Sequence, residues 1–287
     1  MSKDGLTVLS LFDGMSCGAI ALREAGITVK QYFASEIDRK AIRQTQHNFP
    51  DTIQLGSVTD VKASELPPID LLIGGSPCQG FSFAGKQLNF SDPRSKLFFE
   101  YVRILHDIQV YNPQVKFLLE NVRMLKECEN VITEQMGLFP VMINSALVSA
   151  QNRVRMYWTN IRTKSVPILF FTEVYSDIPQ PKDRKIFLKD ILENEVDKRY
   201  YLSQKQIKHL IQLDFENAGT SVTTQSVING MAYCVAFRGR FNPDSGRNEQ
   251  NPEIRTDGKT NTLTTVQKDN MVIAFQNSES DAEIISG

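Results

Sequence analysis

Between Leu6 and about Asn160 the chain alternates two kinds of pattern. Short runs of β-branched and aliphatic residues, Thr7 to Phe12, Gln31 to Ser35, Leu71 to Gly74 and Val115 to Leu119, read as strands. Between them lie amphipathic segments of helical period, Ala19 to Ala25, Arg39 to Asn48 and Ser95 to Val110. Strands interleaved with helices make βαβ units, which predict a mostly parallel sheet covered by helices on its faces. Asp38 stands just before the periodic positions Ala41, Ile42 and Thr45, where a carboxylate caps free helical N–H groups. In the third helix, Phe98, Val102, Leu105 and Val110 are expected to form the buried face. The pattern predicts an α/β, Rossmann-like domain over residues 1–164.

The texture then changes. Pro167, Pro179, Pro181, Pro243 and Pro252 punctuate a stretch rich in Gly, Asn, Thr and Gln. The convincing helix in this part is Gln204 to about Leu213, opened by Ser203 with Gln206 three residues on as a capping box. Residues 165–287 are expected to form a smaller, irregular second domain, with Asn277 to Gly287 as a loose, polar and acidic end. A length of 287 residues with 41% hydrophobic content gives material for two such domains, at roughly 150 residues each.

Charge narrows the choice of partners. Lys and Arg number 32 against 33 Asp and Glu, a formal net charge of -1, so a nucleic acid has to be met by a local cleft. No run approaches the roughly 18 apolar residues of a membrane helix, and MSKDGLTVLS has no signal or transit pattern, so a cytoplasmic protein without a membrane partner is expected. Cys17, Cys78, Cys128 and Cys234 form no CxxC pair and no zinc-spaced cluster, which argues against a structural metal and for reduced thiols.

Chemistry concentrates at the ends of the predicted strands. After the first comes Phe12-Asp13-Gly14-Met15-Ser16-Cys17-Gly18, where Gly14 and Gly18 let backbone pass close to a ligand ahead of a helix; simple turn punctuation is the competing reading. The second ends in Ser35-Glu36-Ile37-Asp38, an acid at the distance from the glycine turn where a Rossmann sheet places a carboxylate on ribose hydroxyls. Asp60 follows a third short strand and is placed either to accept from an adenine amino group or to sit as a solvated turn aspartate.

The strongest local signal is Gly74-Gly75-Ser76-Pro77-Cys78-Gln79-Gly80-Phe81-Ser82, directly after the apolar strand that ends at Ile73. A cysteine on a Gly/Pro-shaped loop at the carboxyl end of a parallel strand faces the crevice where such sheets bind ligands. An ordinary thiol, pKa about 8.5, is only a few per cent thiolate at neutral pH, yet thiolate is nucleophilic enough that modest activation suffices. The next strand ends in Glu120-Asn121-Val122, offering a hydrogen-bonding acid in the same crevice, or else a helix cap. In Gln151-Asn152-Arg153-Val154-Arg155, alternation at the start of a strand from Arg155 to Asn160 puts Gln151, Arg153 and Arg155 on one face. Paired arginines there are either a solvated edge or orienting groups for a thiolate and a carboxylate.

Taken in order, these segments resemble the DNA (cytosine-5)-methyltransferase family. FDGMSCG, SEID, the Asp60 turn, GGSPCQGFSFAGKQ, SDPRSKLFF, LLENV and QNRVR follow the family's order and spacing from Leu6 to about Asn160. The phrase LTVLSLFDGMSCG is most similar to the phage and bacterial branch related to the animal de novo enzymes. The resemblance implies an S-adenosylmethionine-dependent methyltransferase domain, S-adenosylhomocysteine as product, and duplex DNA as partner, in restriction-modification or related roles. It implies that a flipped cytosine is attacked at C6 by Cys78 while Glu120 holds N3 and the exocyclic amine, and that C5 then takes the methyl group. It gives Arg155 the cytosine O2, Arg153 a bracing role beside Glu120 and the nucleophile loop, and Gln79 the gap left in the duplex. Phe12, Asp13, Gly14, Glu36, Ile37, Asp60, Pro77 and Leu97 are implied to line the cofactor.

The second domain is implied to recognise the target sequence, with Arg238, Arg240, Arg247 and Arg255 as candidate guanine readers or phosphate contacts. Gly258 to Thr265, GKTNTLTT, resembles the segment that closes the family's target-recognition region, after which members continue into two further motifs. The expectation is therefore a domain incomplete at its C-terminal end, or one part of a split enzyme completed by a second chain. Two other functions compete: a transfer-RNA methyltransferase of the same fold, whose CFT-type tripeptide is not found in this chain, and a non-catalytic partner that keeps the fold.

Overall fold

The computed structural model describes residues 5–77, 97–193, 195, 197, 232–242, 247–255, 257–262, 270–274 and 283–286. Cys78, Gln79 and the helix expected at 204–213 lie outside the described residues. The chain divides into two compact units, one of residues 1–143 and 154–179, the other of 144–153 and 180–287. The boundary expected at 164/165 falls inside a hairpin of the first unit.

The first unit is built on a sheet that, among the described residues, has seven strands. In chain order the elements are β1 (Leu6–Leu11), α1 (Cys17–Glu24), β2 (Val29–Ser35), α2 (Arg39–Asn48), β3 (Ile53–Gln54), β4 (Leu71–Gly74), α3 (Leu97–Tyr111), β5 (Lys116–Val122), α4 (Lys126–Met136), β6 (Val141–Asn144) and β7 (Val154–Thr159). The strand order is β3-β2-β1-β4-β5-β7-β6, parallel through β5, with β7 antiparallel to β5. The chain reverses direction across the sheet between β1 and β4, and in open α/β sheets ligands bind beyond the carboxyl ends of strands at such a switch point. A hairpin, β8 (Thr163–Ile168) and β9 (Phe171–Ser176), follows.

Apolar runs make these strands because the sheet is covered on both faces. Leu9, Leu11, Leu72 and Leu119 pack with Phe98, Ile104 and Trp158 in one core, while Val8, Tyr32, Ala34 and Leu71 pack with Ala19 and Leu22 in the other. Asp38 caps α2 as expected, accepting from the Lys40 and Ala41 amides at 2.7 and 3.2 Å. The α3 expectation is corrected at one position. Phe98, Val102 and Leu105 are buried, but Val110 is 84% exposed, and Tyr101, Ile104 and Ile108 complete the face. Val110 stands five residues after Leu105, well off the three-or-four spacing that keeps a side chain on one helix face.

In the second unit β10 (Ala232–Asn242), β11 (Arg247–Arg255), β12 (Asn270–Ala274) and β13 (Glu283–Ser286) form an antiparallel sheet in the order β11-β10-β12-β13. This corrects two expectations: the unit contains regular sheet, and four residues of the supposedly loose end form its edge strand. Elsewhere in the unit the buried ammonium of Lys259 donates to the carbonyls of Ala146 at 2.9 Å, Ser149 at 3.1 Å and Ile186, and lies 5.0 Å from the centre of the Phe187 ring.

Candidate active site

The site is built at the carboxyl ends of β1, β2, β4 and β5. After β1 the backbone turns through left-handed conformations at Phe12 (φ 57°), Gly14 (φ 61°) and Ser16 (φ 59°). Non-glycine residues held there store strain, and such outliers collect at ligand-binding turns. Asp13 is buried and accepts from the Tyr32 hydroxyl at 2.8 Å and from Ser16 Oγ. Burial and the Asp13 charge both push the Tyr32 hydroxyl far up from the ordinary phenol range, so it stays a donor.

Gly14 and Gly18 do different work. Nothing lies within 4 Å of where a Gly14 Cβ would stand, so the turn opens onto free space there. A Cβ on Gly18 would meet Ile73 Cδ1 at 2.2 Å and the Tyr32 hydroxyl at 2.9 Å. This glycine therefore serves close packing of α1 on the sheet, and not the ligand approach expected of it from the motif.

At the end of β2, Glu36 accepts from the amides of Gly14 (2.8 Å), Ile37 (2.7 Å) and Asp38 (2.9 Å). Its carboxylate thereby joins the glycine turn to the second strand. Ile37 beside it is 74% exposed, an apolar side chain without cover. Asp60 ends a short 3-10 turn, Val58–Asp60, and is exposed. Pro77 and Leu97, the residues that bracket the undescribed segment carrying Cys78, are half-buried.

Glu120 occupies the last part of β5, which runs three residues beyond the expected end at Leu119 because β7 supplies partners for Glu120, Asn121 and Val122. Val122 pairs with Arg155 and Glu120 with Tyr157, so Glu120 and Arg155 are diagonal neighbours across the ladder. Arg155 Nε donates to Glu120 Oε1 at 2.8 Å, with side-chain exposures of 13% and 28%. Glu120 is therefore no helix cap. Gly75 admits this carboxylate: a Cβ there would stand 2.8 Å from Glu120 Oε2. The buried pair Asn121 and Ser76, joined at 3.0 Å, ties the segment that follows β4 to β5; nothing in the sequence pattern marks it.

Of Gln151, Arg153 and Arg155, expected on one face of a strand, Arg155 lies in β7, which starts at Val154, and the other two precede it. Gln151 instead bridges to Thr260, and the Arg153 amide donates to Asn144 Oδ1 at 3.1 Å within the second unit. The ion pair to Glu120 that is described belongs to Arg155. Among the described residues Cys128 and Cys234 are buried, and burial together with Glu127 pushes the Cys128 thiol up, while Cys17 is exposed on α1.

A family model for C-5 cytosine-specific DNA methylases matches residues 6–280. The chain belongs to that family. It is 30% identical over 311 residues to the orphan methyltransferase M.SPRI of Bacillus phage SPR, covering 94% of this chain and 66% of that protein. It is 35% identical over 211 residues to the type II methyltransferase M1.ScrFI of Lactococcus lactis subsp. cremoris, covering 69% and 51%. The chain thus spans between about half and two thirds of the length of the curated relatives it matches. Its fold is similar to that of a mutant Spodoptera frugiperda DNMT2, at TM-score 0.52 and 23% identity over 73% of this chain and 66% of that one. Among the described residues no helix is long and apolar enough to cross a membrane, and no His, Cys, Asp and Glu cluster is arranged to hold a metal ion. Neither the relatives' names nor the described residues support the companion chain expected from the sequence.

Proposed function

We propose that the chain methylates C5 of a cytosine flipped out of duplex DNA, with S-adenosylmethionine as donor and a covalent bond between Cys78 and the base. The observation that carries this reading is the Glu120–Arg155 pair, seated against Gly75 three residues before Cys78 and at the same sheet edge as the strained turn after β1. The cofactor fits what lies there. The turn opens at Gly14, Glu36 offers a carboxylate for ribose hydroxyls, and Ile37 offers uncovered apolar surface for an adenine ring. Asp60, Pro77, Leu97, Phe12 and, through its backbone, Asp13 complete the proposed set. When bound, S-adenosylmethionine supplies an electrophilic methyl group.

The chain's own residues do the rest. The Cys78 thiolate adds to C6, and Glu120, held by Arg155, hydrogen-bonds N3 and the exocyclic amine, so that charge developing on the ring is stabilised as C5 becomes nucleophilic. Once C5 has taken the methyl group, with S-adenosylhomocysteine as the leaving product, the C5 proton passes to water, its electron pair re-forms the C5–C6 double bond, and Cys78 leaves C6 as the thiolate. Arg155 thus orients Glu120 besides holding the cytosine O2; the bracing role of Arg153 and the role of Gln79 are assigned from their motifs alone. Extruding the base costs a few kcal/mol, which contacts from the second unit are proposed to offset while reading sequence.

The test compares methyl incorporation from labelled S-adenosylmethionine into duplex DNA and into transfer RNA. Labelling of DNA, and a covalent adduct with DNA containing 5-fluorocytosine that Cys78→Ala abolishes, is expected; cofactor binding survives that substitution. Labelling of transfer RNA alone would replace the substrate, and failure of the wild-type chain to bind cofactor would favour a non-catalytic partner.

A further inference from the structure

The turn after β1 is held from beneath by side chains to which neither the motifs nor the family gives a part. Both Asp13 oxygens are occupied inside the protein, one by the Tyr32 hydroxyl from β2 and one by Ser16 Oγ. Ser16 Oγ is also 3.0 Å from Thr45 Oγ1 of α2, whose hydroxyl reaches the Gly14 carbonyl at 3.4 Å. Ser16 and Thr45 are completely buried, and Asp13 and Tyr32 nearly so. The Ser10 side chain and the Ala19 backbone stand beside the same Tyr32 oxygen. Gly18 has no Cβ where one would strike that oxygen, so the helix start is shaped to let the tyrosine reach under the turn. Strain at Phe12 and Ser16 persists only if surrounding interactions over-determine it, and this buried network supplies such interactions at the turn.

We propose that Tyr32 and Thr45 are positioning residues for cofactor binding, setting the conformation of the Phe12–Gly18 turn through Asp13 and Ser16. The inference rests on the reading of that turn as the S-adenosylmethionine site. Asp13 then acts inward as the anchor of the turn, and Gly14 is its open, ligand-facing point. Glu36 completes the frame from the other side through the Gly14 amide.

The experiment titrates S-adenosylmethionine calorimetrically into the full chain and its Tyr32→Phe, Thr45→Val and Thr45→Ser variants, alongside steady-state kinetics on duplex DNA. Tyr32→Phe and Thr45→Val each keep shape and delete one hydroxyl; each is expected to weaken cofactor binding about tenfold and to raise KM for the cofactor equally. The kcat at saturating cofactor and the KM for DNA stay within about twofold of wild type, and Thr45→Ser restores wild-type affinity. Unchanged cofactor affinity in both deletion variants, with binding by the wild type intact, would overturn this inference alone. An equal fall in kcat and affinity, which general damage to the fold produces, would overturn it too. Absence of binding to the wild type would instead remove the functional reading and this inference together. Should Tyr32→Phe fail to fold, the Thr45→Val and Thr45→Ser pair decides.

Discussion

Glu120 shows how a single residue's meaning depends on its neighbours. The motif marks it as an acid at a strand end, but only the pairing of β5 with β7 brings Arg155 to it and only Gly75 leaves it room. The glycine was legible as punctuation, whereas its contact with a side chain 45 positions away was not. Tyr101 makes the opposite case, a polar atom with no such partner. Its ring is fully buried on α3 against Gly74, and its hydroxyl, pushed far up by burial, has no hydrogen-bond partner among the described residues. A buried donor left unpaired costs about 1–3 kcal/mol relative to water. Tyr101→Phe removes that cost and keeps the packing, so it is expected to stabilise the chain by about 1 kcal/mol, read as a raised midpoint in urea. A loss of stability would mean that the hydroxyl has a role that the static structure does not display.

Elements were legible where burial on both sides made them locally self-evident. The strands of the parallel sheet are continuous apolar runs because helices cover both faces, and β1, β2 and β4 fall within two residues of their expected ends. The antiparallel sheet of the second unit was not legible. β11, RNEQNPEIR, is polar and contains Pro252, both signals against a strand, yet it is an edge strand, where proline is tolerated. Nor does a sequence pattern reveal that Lys259, inside a Gly-Lys-Thr run, is a buried clamp. Its ammonium joins the β6–β7 connection, through Ala146 and Ser149, to Ile186, and the backbone beside it pairs Thr260 with Ala150 and Asn152. A lysine so enclosed persists because each proton finds an acceptor. Lys259→Met fills the space but leaves three carbonyls unpaired, so the second unit is expected to lose about 2–3 kcal/mol, measured by urea unfolding. Lys259→Arg, which keeps the charge and donors, should lose less; equal losses in both variants would show that fit rather than hydrogen bonding sets the cost.

At the scale of the whole molecule, the proposed function divides along the two units. Every residue assigned to the cofactor, from Phe12 to Leu97, belongs to the first, and the arginine candidates for target reading belong to the second. Arg255 among them donates from Nε to Asp257 at 3.1 Å, and Arg238 and Arg240 stand two residues apart in β10, so the proposed reading role is tested on that pair. With a formal net charge of -1 the proposed binding of DNA has to rest on local charge, so a few arginines should account for much of its salt dependence. Arg238→Ala and Arg240→Ala are expected to leave calorimetric S-adenosylmethionine affinity unchanged and to weaken duplex binding. Removing an arginine that neutralises a phosphate flattens the slope of log K against log salt by about 1 and weakens all sequences alike. Removing one that reads a base costs about 1–3 kcal/mol on the preferred sequence alone and relaxes the choice at one base pair. Binding measured at three salt concentrations on specific and random duplexes separates these outcomes. If both substitutions leave both duplexes bound as before, β10 is not the reading surface and the division of labour proposed for the second unit fails.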